Sequence, residues 1–106
     1  MASKTWKSIE RRIAKFFGTE RTPLSGGNGK QTRSDTLHQH LFVEAKYRQK
    51  HSAVTLWDDT AELAKAEGKT PVVCLAEKGR SGFWLVVHSD DLQMVADEVD
   101  LAREYE

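Results

Sequence analysis

The sequence predicts an α/β chain, a mixed β-sheet flanked by helices, and three observations predict it. Apolar residues recur at helical spacing in three separate stretches. Alternating or continuously apolar runs, LFVEAKYR, PVVCLA and FWLVV, lie between them. The resulting order is helix, hairpin, helix, two strands, helix, and strands separated by a helix favour a crossover that covers the sheet on both faces. At 106 residues the chain has the length of one domain with one core, so a single domain over 1–106 is expected.

Each element has its own signal. From Trp6, the residues Ile9, Ile13, Phe16 and Phe17 follow at three- and four-residue steps, one stripe of an amphipathic helix that ends near Gly18. Residues at about 19–33, with Pro23, Gly26, Gly27 and Gly29, read as a flexible basic loop carrying Arg21, Lys30 and Arg33. A short strand is expected over Arg33 to Leu37, with His38 and Gln39 near the turn. The run 41–48 then alternates, placing Leu41, Val43, Ala45 and Tyr47 on one face and Phe42, Glu44 and Lys46 on the other. From about Ala53, Leu56, Thr60, Leu63 and Ala64 mark a second helix, stopped by Gly68 as its left-handed cap and by Pro71. Strands PVVCLA and FWLVV flank the turn EKGRSG. Ser89 is expected to cap the last helix, whose buried stripe is Leu92, Val95, Ala96 and Val99.

Charge narrows the class of partner. The formal net charge is zero, yet residues 1–50 hold eleven Lys/Arg against four Asp/Glu, +7 (11 − 4), which leaves −7 for the rest. A basic half with few acids suits an anionic partner, because Lys and Arg neutralise phosphates and release counterions. Two solvated faces that attract each other are the plain alternative. Cys74, the one cysteine, lies in the apolar run VVCLA and is expected to behave as a small hydrophobe, with no partner for a disulfide or a thiolate zinc site. No apolar stretch approaches the roughly 18–20 residues that span a bilayer, and no charged-then-apolar leader precedes one, so a cytoplasmic chain without a membrane partner is expected.

The chemistry concentrates between Asp35 and Lys46. Hydrolysis of a phosphodiester needs a hard divalent cation to neutralise charge developing on phosphoryl oxygens, and carboxylates hold such a cation. Asp35 and Glu44 supply two, and the backbone carbonyl of Ala45 is a third oxygen donor. Glu44 and Lys46 emerge on the same strand face, which puts the ammonium where it can orient an attacking water. A hairpin from Asp35 to Glu44 brings the carboxylates together, since paired strands lie about 5 Å apart. The plainer reading is that Asp35 caps a turn while Glu44 and Lys46 form an exposed ion pair of little energetic consequence.

Ser34-Asp35 followed by Glu44-Ala45-Lys46 resembles the metal site of the PD-(D/E)XK nuclease superfamily, an aspartate before a hairpin and then an acid, one spacer and a lysine. Ser34 stands where that family has proline. The order of elements from Trp6 to Leu92 is most similar to the archaeal-type Holliday junction resolvases, small versions of which occur in phages, and Glu10 in IERRIAKFF matches the glutamate on their first helix. The resemblance implies a restriction-endonuclease-like core and a structure-selective, Mg²⁺-dependent endonuclease, with Mn²⁺ as a substitute and no nucleotide cofactor. It implies Asp35, Glu44, the Ala45 carbonyl and Glu10 at the metal, and Lys46 at the water. A homodimer that cuts branched DNA would follow, with Arg11, Arg12, Arg21, Lys30, Arg33 and Arg48 on backbone phosphates. A nuclease acting on flaps, nicks or duplex, a non-catalytic DNA-binding module and an acidic-tailed interaction protein are the rival readings. His38 and His40 could assist, but histidines at alternate positions beside a hairpin are commonly surface residues. Trp57 and Trp84 read as core or interface aromatics.

Overall fold

The computed structural model of the protein describes residues 2–23 and 32–104. The chain divides into two compact units, Met1–Gln49 and Lys50–Glu106. Among the described residues the architecture is mixed α/β, with three α-helices and one two-stranded antiparallel sheet, and no helix is long and apolar enough to cross a membrane.

The first unit opens with α1, Ala2–Phe16. It stops at Gly18, whose φ of +71° a residue with a Cβ adopts only at a cost. There the Thr19 N–H reaches back to the Ala14 carbonyl at 2.9 Å and closes the last turn. Most of the expected apolar stripe is present, with Trp6, Ile9, Ile13 and Phe17 half-buried, but Phe16 is 49% exposed. Its most enclosed positions are nevertheless Glu10 and Ala14, one turn apart, at 6% and 1% exposure. A buried carboxylate on a helix face requires partners, and these come from the segment that follows.

The two strands expected over 33–37 and 41–48 do not form a regular ladder. Arg21 and Thr36 make an isolated antiparallel bridge, flanked by Thr22 N–H to Asp35 O at 3.0 Å and Leu37 N–H to Glu20 O at 2.9 Å. On the other side, Asp35 N–H donates to Val43 O at 2.7 Å. Residues 34–37 therefore run between 20–22 and 43–45. Side chains take over backbone groups that a ladder would use, as short polar residues do in extended segments. The Ser34 hydroxyl accepts the Val43 N–H at 2.7 Å and donates to the Val43 carbonyl at 3.0 Å. His38 Nδ1 accepts the N–H groups of His40 and Leu41 at 2.9 and 3.0 Å, which fixes the turn. The alternation of the second run holds only over 43–46, where Ala45 is buried and Val43 half-buried while Glu44 and Lys46 face outward; Leu41 and Tyr47, expected on the inward face, are 45% and 46% exposed. Within the loop expected at about 19–33, residues 24–31, Lys30 among them, lie outside the described residues.

The second unit begins with α2, Ser52–Ala66, ended by Gly68 at φ +66°. Its half-buried face is Ala53, Trp57, Thr60, Ala61 and Ala64, whereas Leu56 and Leu63 point outward at 45% and 72% exposure. The stripe is thus rotated from the expected one, because the wide ring of Trp57 and the small alanines form the packed side. Strands β1, Val73–Leu75, and β2, Trp84–Val86, pair antiparallel with Cys74 opposite Leu85. Val73 is buried, so Cys74 points to the opposite face and is exposed, contrary to its expected enclosure. A short 3₁₀ turn, Ser89–Asp91, leads into α3, Leu92–Glu104. Ser89, expected as the cap of the last helix, lies inside this turn, which His88 caps: its Nδ1 accepts the Asp90 N–H at 3.0 Å. Along the expected α3 stripe, Val95 is half-buried, while Leu92 and Val99 remain 46% and 42% exposed.

Candidate metal and nucleic-acid site

Ser34 organises the site. It is 4% exposed, and its hydroxyl also accepts the Thr36 N–H at 3.3 Å, so one oxygen holds its own chain and Val43 together. The next residue, Asp35, then faces the segment that carries Glu44, Ala45 and Lys46. Its Oδ2 accepts the Ala45 N–H at 2.6 Å. A charged acceptor on a backbone donor makes a short, strong bond. The first acid and the E-x-K triplet, separated by eight intervening residues, are directly bonded.

Glu44 and Lys46 flank the buried Ala45 on the outward face, with Lys46 Nζ 2.9 Å from Glu44 Oε2. Both side chains are about half exposed, 51% and 53%, so their attraction adds little to stability. Both remain open to a ligand from solvent.

Glu10 is placed differently. Its Oε2 accepts the Trp6 indole N–H and its Oε1 the Arg21 Nε–H, each at 2.7 Å. The Glu10 and Arg21 side chains are only 8% and 13% exposed, which makes this an enclosed ion pair. Arg21 Nη2 is buried without a hydrogen-bond partner among the described residues. Trp6 is held in turn by Tyr47, edge to face at 6.1 Å between ring centres. A cleft of about 420 Å³ lined by Arg11, Thr19, Glu20, Arg21 and Pro23 adjoins the pair.

Among the described residues no three His, Cys, Asp or Glu side chains stand together as a group able to hold a metal ion. Asp35 and the Glu44–Lys46 segment are brought together; Glu10 instead belongs to Trp6 and Arg21. Of the expected phosphate contacts, Arg11, Arg12, Arg33 and Arg48 are exposed and Arg21 is half-buried. His38 serves its turn through Nδ1. Sequence reasoning missed Ser34, Thr22 and Trp6. Thr22 donates from its hydroxyl to the Ser34 carbonyl at 2.9 Å. The available signal was the hydroxyl residue directly before Asp35, and a tryptophan one helical turn before Glu10. Comparison with family models, curated proteins and solved structures gives no match for the chain.

Proposed function

We propose that the protein is a divalent-metal-dependent DNA endonuclease of the PD-(D/E)XK type, built on a restriction-endonuclease-like plan and acting on branched DNA as a Holliday junction resolvase does. The observation that carries this reading is the Asp35 Oδ2 bond to the Ala45 N–H at 2.6 Å. It sets one carboxylate against the segment that bears the second carboxylate and the lysine. A residue that merely capped a turn would bond locally, within a few positions of itself.

The donor set fits magnesium. Asp35, Glu44 and the Ala45 carbonyl are hard oxygen donors, and Mg²⁺ is commonly held by one or two carboxylates with waters and substrate phosphate making up the rest. A third acid is therefore not required. When bound, the cation supplies charge neutralisation at the phosphoryl oxygens. Lys46, drawn to Glu44 at 2.9 Å, would hold the attacking water beside the carboxylates. Water oxygen bonds to phosphorus, the bond from phosphorus to the 3′-oxygen breaks, and the products are a 5′-phosphate and a 3′-hydroxyl. Arg11, Arg12, Arg33 and Arg48 would engage backbone phosphates, in line with the +7 formal charge of residues 1–50 (11 − 4). Paired incision of a four-way junction needs two such centres, hence a homodimer, acting in the cytoplasm where the DNA lies.

The experiment is cleavage of a four-way junction, a flap and a plain duplex of equal length, with and without Mg²⁺. Junction cleavage that depends on Mg²⁺ supports the reading. Equal cleavage of all three substrates moves it to a general nuclease, and salt-dependent binding without cleavage moves it to a DNA-binding module.

A further inference from the structure

The acid on α1 has both its oxygens engaged. Trp6 takes one and Arg21 the other, each at 2.7 Å, and the carboxylate is almost fully enclosed. A divalent cation on Glu10 would have to enter an enclosed site and sit beside the Arg21 guanidinium, where like charges repel. What Arg21 does with its backbone is equally specific: it bridges Thr36, and its neighbours Glu20 and Thr22 bond Leu37 and Asp35. Asp35 is thereby held on one side by residues 20–22 and on the other by Val43, and its carboxylate lands on Ala45.

We infer that Glu10 is a positioning residue and not a metal ligand: through the Arg21 side chain it anchors residues 20–22, and through them the placement of the Asp35 carboxylate on Ala45. This rests on the proposed function only for the purpose of the Asp35 site. The linkage itself runs from Trp6 through Glu10, Arg21 and the backbone of 34–36. Glutamine at position 10 offers one accepting oxygen where two donors converge, so Glu10→Gln breaks the clamp with minimal change of shape.

Two readouts on the full-length chain test it, neither requiring cleavage. The first is exchange of the Ala45 amide proton, measured by NMR. Protection should fall by about tenfold or more in Glu10→Gln and in Arg21→Ala, and by less in Arg21→Lys, whose ammonium can still donate to Glu10 Oε1 while Trp6 keeps Oε2. The second is Mn²⁺ affinity without DNA, which should fall at least about tenfold in Asp35→Asn, where the ligand is removed, and by clearly less in Glu10→Gln, where it is only loosened. Unchanged Ala45 protection in Glu10→Gln overturns the inference, as does a loss of Mn²⁺ affinity in that variant as large as that of Asp35→Asn. Ala45 protection that stays higher in Arg21→Lys than in Arg21→Ala supports it even where Glu10→Gln fails to fold, and equal loss in the two overturns it. If the wild type cleaves no DNA, the proposed function fails while the Ala45 exchange still decides the role of Glu10.

Discussion

Asp35 Oδ2 accepts the backbone N–H of Ala45 at 2.6 Å, and this bond joins the aspartate to the segment on which Glu44 and Lys46 project outward. It separates structure from chemistry at one residue. An asparagine oxygen can accept the same N–H but carries no charge for a cation. Asp35→Asn should therefore change stability by no more than about 1–2 kcal/mol, because only the charge assistance is lost. Mg²⁺-dependent cleavage should fall by about 100-fold or more, the equivalent of roughly 3 kcal/mol in the barrier. Urea unfolding beside single-turnover cleavage checks both.

Lys46 is half exposed and pairs with an equally exposed Glu44. Lys46→Ala is expected to cost less than about 1 kcal/mol of stability. Its effect on cleavage should be about 100- to 10,000-fold, the range for a group that orients or moves a proton. The two measurements must diverge; a variant that loses neither would mark the pair as surface charge.

Ser34 has the opposite profile. Its hydroxyl serves both backbone groups of Val43, and it is nearly fully buried. Ser34→Ala leaves those groups without that partner and should destabilise the chain by about 1–3 kcal/mol. Chemical denaturation gives the value, and Ser34→Thr should recover part of it if the added methyl is accommodated.

Gly68 closes α2 at φ +66° with no atom near the position of a Cβ, so the cost of a side chain there is conformational. Gly68→Ala should lose about 1 kcal/mol and Gly68→Asn less, since asparagine enters the left-handed region more readily. Thermal melts of the two variants rank them.

Much of this was legible in the sequence, for reasons that particular residues make plain. The first two helices announce their ends through Gly18 and Gly68, because a left-handed residue is a local requirement that glycine meets. The outward placement of Glu44 and Lys46 followed from the two-residue period of an extended segment. What escaped was decided by contacts distant in sequence. The hydroxyl of Ser34 and the carboxylate of Asp35 capture backbone groups of 43–45, and no local pattern reveals that a ladder will be replaced by side-chain bonds. The stripe of α2 turns toward Trp57 and the alanines because packing, not hydropathy alone, chooses the face. The resemblance alone put Glu10 at the metal, and its partner Arg21 is visible only once residues 20–22 fold back to Thr36.

The most direct test of the central claim is cleavage of a labelled four-way junction by the wild-type chain and by Asp35→Asn, each with Mg²⁺ and with EDTA. The account predicts incision by the wild type with Mg²⁺ alone, ending in a 5′-phosphate and a 3′-hydroxyl, and at least about 100-fold slower incision by the folded variant. Cleavage that survives EDTA, or that Asp35→Asn retains at the wild-type rate, would contradict it.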